Sequence, residues 1–169
     1  MTEPLQKAGY TIEVIDQPVD GKPMPHSFGL HYDRLLEATV PLVPIFVNIH
    51  FPPTQPSMPE QYKLGQDIRR ALEAWPGEER VAVLANGGLS IGVVRQDLDR
   101  QLLDALQRRD LKTLASMPAR WIQGTSGEIF NWVGAASALE GLEMKVWDYV
   151  PVYRSAAGTG CGNAFATWS

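Results

Sequence analysis

The chain has 169 residues, of which 44% are hydrophobic and 20% charged, and its formal net charge is −4. This composition is typical of an ordinary globular domain with a real core. It argues against a membrane protein, since no apolar run approaches the ~20 residues of a spanning helix. It also argues against nucleic acid as a partner, since basic residues form only short pairs. The single cysteine, Cys161, cannot form an intramolecular disulfide and favours a cytoplasmic location.

The first third of the chain shows two strand patterns with a helix between them. Residues 10–14 alternate apolar and polar side chains, which predicts a strand with one buried face. A short helix is predicted over 27–38, with Ser27 as its N-cap. Residues 43–49 are rich in β-branched and aromatic side chains and predict a buried strand. Pro44 is awkward in a central strand, so this strand is expected at an edge or from residue 45 onward.

The remaining elements alternate in the same way and then end in two strands. A capping box at Ser57 and Glu60 predicts a helix that ends near residue 76, and residues 81–85 predict a short, fully buried strand. Helices follow over 96–110 and from 125 or 126 to 141, and strands over 142–153 and 163–168. The prediction is a single α/β domain of three-layer type, with a mixed central sheet flanked by helices and an antiparallel final pair.

The glycine-rich turn after residues 81–85 is the first candidate binding site. In an open α/β sheet, ligands bind at the carboxyl ends of the strands, which is where this turn is expected. Gly87 and Gly88 allow unusual backbone angles or a close approach, and Asn86 and Ser90 supply polar groups. A plain strand-to-helix turn with two glycines explains the same residues, and this interpretation is the more common one.

Metal or acid–base chemistry must use the three histidines or a carboxylate. The histidines are His26, His31 and His50, and two histidines with one carboxylate would suit non-haem iron. Glu128, at the start of a predicted helix, is the candidate carboxylate, although a glutamate there also complements the helix dipole. His26 is a candidate acid–base group because the pKa of an imidazole lies near neutrality, and a surface histidine is the ordinary alternative. Arg154 and its neighbouring glycines fit either an anion site or a simple loop.

Several motifs in the same order resemble one family, the class III (LigB-type) extradiol ring-cleavage dioxygenases. They include His-Ser-Phe-Gly-Leu at 26–30, Gly-Gly-Leu-Ser at 87–90 and Gly-Thr-Ser-Gly-Glu at 124–128. The other matching stretches are 43–48, 51–56, 62–65, 129–132, 138–141 and 148–162. Together they cover nearly the whole chain, and they correspond to the carboxyl-terminal portion of such enzymes.

The resemblance implies a function and roles for individual residues. Family members use Fe(II), held by two histidines and a glutamate, to bind a catechol-type aromatic substrate and O₂ side by side. By position, Glu128 matches the metal-binding glutamate and His26 matches an acid–base histidine. Asn48 and the 87–91 turn, with Gly87, Gly88, Ser90 and Ile91, match the lining of the substrate cleft.

The chain also departs from the family pattern. The two iron-binding histidines of the family lie in an amino-terminal segment of roughly a hundred residues, about half a domain, which is absent here. The second acid–base histidine normally follows the Gly-Gly-Leu-Ser turn, and Ile91 stands at that position. Pro25 precedes His26 where the family has aspartate. Of the five residues that the chemistry needs, the resemblance assigns two to this chain.

Three hypotheses remain open. The first is a dioxygenase portion that is inactive alone and completes its site with a separate chain, as a homo- or hetero-oligomer with an apolar docking patch. The second is a non-catalytic partner subunit or a small-molecule-binding remnant of the family, which Ile91 favours. The third is a rebuilt metal site in which Glu128 combines with His31 or His50.

Overall fold

A computed structural model describes residues 1–14, 25–34, 40–50 and 53–169, without the side chains of residues 26, 32 and 33. Six α-helices are found in this part of the chain: α1 (Thr2–Lys7), α2 (His26–Arg34), α3 (Met58–Glu73), α4 (Gln96–Arg108), α5 (Leu111–Ser116) and α6 (Ile129–Ala138). Two 3₁₀ turns, Ala119–Trp121 and Gly124–Glu128, lead into α6. None of the described helices combines the length and apolarity needed to cross a membrane.

The sheet has three strands in the described residues, β1 (Ile91–Val93), β2 (Met144–Tyr153) and β3 (Thr159–Trp168), in the order β1-β3-β2. Both neighbouring pairs are antiparallel, with Ile91 opposite Cys161 and Val152 opposite the same cysteine on the other side. This confirms the α/β class and the antiparallel pairing predicted for the last two strands. The sheet of the described residues is antiparallel throughout and not mixed as predicted, because residues 43–49 and 81–85 do not join it. β3 begins four residues earlier than predicted, because its pairing with β2 continues through Gly162 to Gly160, which lies opposite Tyr153. β2 begins two residues later than predicted and ends where it was expected.

One hydrophobic core joins the helices to the inner face of the sheet. Its fully buried side chains include Leu102, Phe130 and Val133, and Val146 and Ala166 of the paired strands pack against it. Core-facing residues on α4 and α6 recur at helical spacing, which is why these helices were predictable from the sequence. The core therefore holds α6, and Glu128 just before it, in a defined position.

The helix predicted from the capping box is confirmed. Ser57 Oγ accepts the N–H of Glu60 at 3.4 Å, and the Glu60 carboxylate accepts the N–H of Ser57 at 2.7 Å. Halfway along α3, Gly65 leaves room for α6, because a side chain there would overlap Ser137 Oγ and the Gly134 carbonyl. The helix predicted over 27–38 begins one residue earlier than expected. Because α2 starts at His26, Ser27 lies inside this helix and is not its N-cap.

Three predicted strands are wrong in the described part of the chain. Residues 10–14, 43–49 and 81–85 belong to no strand, although the last two segments were expected to be buried. Val43 and Phe46 are 69% and 65% exposed, and Val81 and Leu84 are 55% and 60% exposed. A strand needs a neighbour to bond its N–H and C=O groups, and an apolar run alone does not supply one. We refer to residues 41–47 and 81–85 as the extended segments.

Candidate active site

The turn over residues 86–91 is tied to the sheet by its own backbone. The Leu89 N–H donates to the Gly162 carbonyl, and the Gly162 N–H donates to the Ser90 carbonyl, both at 2.8 Å. One residue later, the Ile91 N–H donates to Ser126 Oγ at 3.0 Å. These bonds join the turn to β3 and to the 3₁₀ turn before α6, so its position is set by the core.

Glu128 faces this turn at short range. Its Oε2 accepts the Gly88 N–H at 2.7 Å, and this charge-assisted bond orients the half-buried carboxylate. Gly87 has φ +153°, and a Cβ on it would lie 2.7 Å from the Glu128 Cβ. The first glycine is therefore required by the approach of Glu128, which is more than a plain turn demands.

Helix α6 holds the turn from the other side through two adjacent side chains. Trp132 Nε1 donates to the Gly87 carbonyl at 2.9 Å, and Asn131 Nδ2 donates to the Asn86 carbonyl at 2.8 Å. Both residues lie in the first turn of α6, directly after Glu128 at its N-cap. One short segment thus supplies the carboxylate and also the donors that orient the backbone facing it.

The start of α2 lies beside the same turn. Asn86 Nδ2 donates to the Ser27 carbonyl at 2.6 Å, which fixes the backbone next to His26 close to the turn. The imidazole of His26 lies outside the described residues. The proposed acid–base role of His26 therefore stays a prediction, now with its helix placed at the site.

The segment that contains Asn48 packs against Gly127, the residue before Glu128. Gly127 touches the Ile49 carbonyl so closely that a side chain there would overlap it, and Gln55 Nε2 donates to this carbonyl at 2.7 Å. Asn48 itself bonds to Thr54 and accepts the His50 N–H at 3.2 Å. The structure thus places Asn48 one residue from the contact, with its side chain engaged in its own loop.

Ile91, at the position where the resemblance leads us to expect a histidine, ends the turn and begins β1. It pairs with Cys161 across β1 and β3, and both side chains crowd the space where a Cβ on Gly88 would be. Burial raises the pKa of the Cys161 thiol, and the carboxylates of Glu128 and Asp99 raise it further. The carboxylates of Glu128 and Asp99 thus lie near enough to act on the thiol of Cys161, the residue that pairs with Ile91.

Sequence reasoning missed the buried polar cluster behind the turn. Asp99, on α4, accepts hydrogen bonds from Ser90 and Tyr149, and it is fully buried. The signal is present in the sequence, because Asp99 shares the apolar face of α4 with Leu102, Leu103 and Leu106 at helical spacing. A carboxylate in an apolar stripe indicates a specific partner in the core.

The metal donors are incomplete in the described residues. No group of three or more His, Cys, Asp or Glu side chains there is placed to hold a metal ion. A complete site rebuilt from Glu128 with His31 or His50 therefore does not form in this part of the chain. Glu128 Oε1 accepts no hydrogen bond from the described residues, so this carboxylate oxygen is available to coordinate a metal ion.

Comparison with known proteins identifies the family. The profile described as the catalytic LigB subunit of aromatic ring-opening dioxygenase matches residues 23–160. The chain belongs to the LigB family. A gallate dioxygenase from Pseudomonas putida (strain KT2440) is 34% identical over 128 residues, covering 66% of this chain and 37% of that protein. This LigB-family chain thus matches only about a third of the length of its relative. No solved structure matches it.

Proposed function

We propose that this chain carries the glutamate side of an extradiol aromatic ring-opening dioxygenase site, for a catechol-type substrate such as gallate and for O₂. The observation that supports this proposal is the contact between Glu128 and the Gly88 N–H, inside the region matched by the LigB family. The gallate dioxygenase relative supports the substrate class. The lone cysteine favours a cytoplasmic setting.

The described residues of the chain prepare one metal donor. The Gly88 N–H holds Oε2 of Glu128, and the crowding at Gly87 limits how the side chain can turn. A bound Fe(II) would supply the coordination positions at which a catecholate and O₂ meet. The described donor set does not complete such a site, so we propose that nitrogen donors come from a second polypeptide and that the chain alone does not turn over.

The extended segments support the need for a second polypeptide. Both are rich in apolar residues typical of strands, and most of their large apolar side chains are 37% to 69% exposed: Leu42, Val43, Ile45, Phe46, Val81 and Leu84. Both also adjoin the candidate site, one through Ile49 and the other through Asn86. An apolar segment that belongs to no strand and is exposed is the kind of surface to which another chain adds a strand. Such a chain would cover the segments and approach Glu128 at the same time.

A non-catalytic role is the second candidate, and Ile91 is the observation that favours it. An isoleucine cannot carry a proton, and it lies beside Gly88, where the resemblance expects an acid–base group. In this case the chain is a partner subunit or binds a small aromatic molecule without opening its ring. The turn and Glu128 would then serve recognition only.

Anaerobic reconstitution tests the two candidates. The purified chain is incubated with Fe(II), then given gallate or protocatechuate and O₂, while metal content, O₂ uptake and the ring-opened product are measured. We expect little retained iron and no product. Free imidazole, as a soluble nitrogen donor, should raise iron retention in the wild type but not in Glu128→Gln, with the exposed Glu143→Gln as control. Turnover by the lone chain would overturn the need for a partner, and equal retention in both proteins would remove Glu128 from the site.

The role of position 91 is tested by substitution. Ile91→His restores an imidazole beside the turn, and Val93→His places one two residues further along the same strand. In the metal-loaded, imidazole-supplemented protein, activity should rise in Ile91→His alone. Anaerobic dialysis against gallate measures binding separately. Binding without activity in every variant would favour the non-catalytic role.

A further inference from the structure

The strongest feature outside the proposed donor set is the buried carboxylate of Asp99. It lies in the first turn of α4 and accepts three hydrogen bonds, from the Ser90 N–H at 2.8 Å, from Ser90 Oγ at 2.7 Å and from the Tyr149 hydroxyl at 2.7 Å. No ion pair among the described residues includes it. Burying a carboxylate without a cation is costly, and it is sustained only when several donors are fixed around it.

These donors come from two different parts of the fold. Ser90 belongs to the 86–91 turn and Tyr149 to β2, and Gly162 of β3 lies so close that any side chain there would overlap the carboxylate. Burial raises the pKa of the Tyr149 hydroxyl, and its hydrogen bond to Asp99 raises it further, so the hydroxyl remains a donor. Asp99 therefore connects the turn to the two long strands.

Capping of α4 does not explain Asp99. The N-cap position is Arg95, no side chain caps the helix, and the carboxylate of Asp99 is directed to Ser90. Ser90 Oγ in turn accepts the Arg95 N–H at 2.9 Å. The N–H and the Oγ of Ser90 are thus both held by hydrogen bonds, and these bonds fix the backbone path of the turn.

The position of this turn decides where the Gly88 N–H points. Gly88 precedes Ser90 by two residues, and its N–H is the donor that orients Glu128 Oε2 at 2.7 Å. We propose that Asp99 is a positioning residue for the Glu128 carboxylate, acting through Ser90 and the Gly88 N–H. The inference rests on the proposed function only for the metal-binding role of Glu128. The coupling between Asp99 and Glu128 is a property of the folded chain.

Nuclear magnetic resonance of the Gly88 amide tests this coupling directly. In the wild type, Glu128→Gln should move the Gly88 amide proton upfield, because a neutral amide is a weaker acceptor than a carboxylate. In Asp99→Asn, Ser90 Oγ and the Tyr149 hydroxyl compete for a poorer acceptor. Adding Glu128→Gln to this variant should therefore shift the Gly88 amide proton much less. Hydrogen exchange of the Gly88 amide should also become about tenfold faster. Asp97→Asn, an exposed carboxylate in the same helical turn, is the matched control and should leave the response intact.

A merely structural role would lower the melting temperature and leave this spectroscopic response unchanged. A folded Asp99→Asn variant with the full wild-type response to Glu128→Gln would therefore overturn the proposal. If Asp99→Asn does not fold, Ser90→Ala and Tyr149→Phe retain the carboxylate. Ser90→Ala should then weaken the response, while Tyr149→Phe should preserve it, and an unweakened response in Ser90→Ala would overturn the proposal. None of these measurements depends on catalytic activity. A failure of the coupling can therefore be distinguished from a failure of the proposed function.

Discussion

Residues 81–85 and residues 86–91 are consecutive in the chain and differ sharply in their surroundings. The 86–91 turn receives hydrogen bonds from α6 and β3 and gives one to α2, and Leu89 and Ser90 within it are buried. The five residues before it belong to no strand, and Leu84 is 60% exposed. The polar and glycine residues of the 86–91 turn are thus fixed by hydrogen bonds to the core, while the more apolar residues 81–85 before them are not.

The difference teaches what an apolar run in a sequence measures. A helix satisfies its backbone groups internally, so α4 and α6 form once one face is covered. A strand is completed only by a neighbour, so a strand-like run indicates a surface that requires covering, whether or not this chain covers it. The turn is ordered because its partners are side chains and backbone within the same core.

The largest contrast is expected in hydrogen exchange. Amides of α6 should be protected by a factor of at least about a thousand relative to those of the extended segments, because α6 opens only with the core. Exchange read by mass spectrometry on peptides covering 41–47, 81–85 and 129–138 measures this. Strong protection of residues 81–85 in the isolated chain would show that these residues are already paired, either within the chain or with a second copy of it.

A matched pair of truncations should differ almost as much. Leu102→Ala removes a fully buried side chain and should lower the free energy of unfolding by about 2–5 kcal/mol. Leu84→Ala removes a side chain that is 60% exposed and should change it by no more than about 0.5 kcal/mol. Urea unfolding of the two variants gives both values. Similar losses would mean that the segment is packed in solution.

The glycine that admits Glu128 allows a finer test of the turn. Gly87→Ala combines a positive φ with overlap against Glu128 and should cost about 2–4 kcal/mol. Gly92→Ala has φ +94° but open space around it, and should cost about 1–2 kcal/mol. Their difference, from chemical unfolding, isolates the contact with Glu128. Equal costs would show that Glu128 moves away without resistance.

The smallest effect concerns acid stability of the packed helices. The hydrogen bond from Tyr62 and a second one from Gln66 hold the pKa of the Glu140 carboxyl below its ordinary value of 4.5. A depressed pKa contributes stability that is present above pH 4.5 and is lost as the pH falls through the folded-state value. Glu140→Gln should therefore flatten the fall in unfolding free energy below pH 4.5, by less than about 1 kcal/mol. Urea titrations at several pH values measure it, with Glu143→Gln as the control.

The sequence by itself determined much of the helical part of the protein. The capping box at Ser57, the apolar spacing of α4 and the two final strands are local patterns, and each is found close to where it was predicted. The glycine-rich motif and Glu128 were likewise visible as candidates, although a plain turn and a helix-dipole role explained the same residues equally well. The resemblance to the family had already assigned both of them to one site.

Only the tertiary structure decided which of these residues meet. The contact of Glu128 with Gly88, the place of α2 beside Asn86 and the buried Asp99 cluster all join residues far apart in the chain. The failure of the predicted strands at 43–49 and 81–85 has the same origin. Helical periodicity is written into neighbouring residues, whereas strand pairing and a catalytic arrangement depend on which distant backbone and side chains are present to complete them.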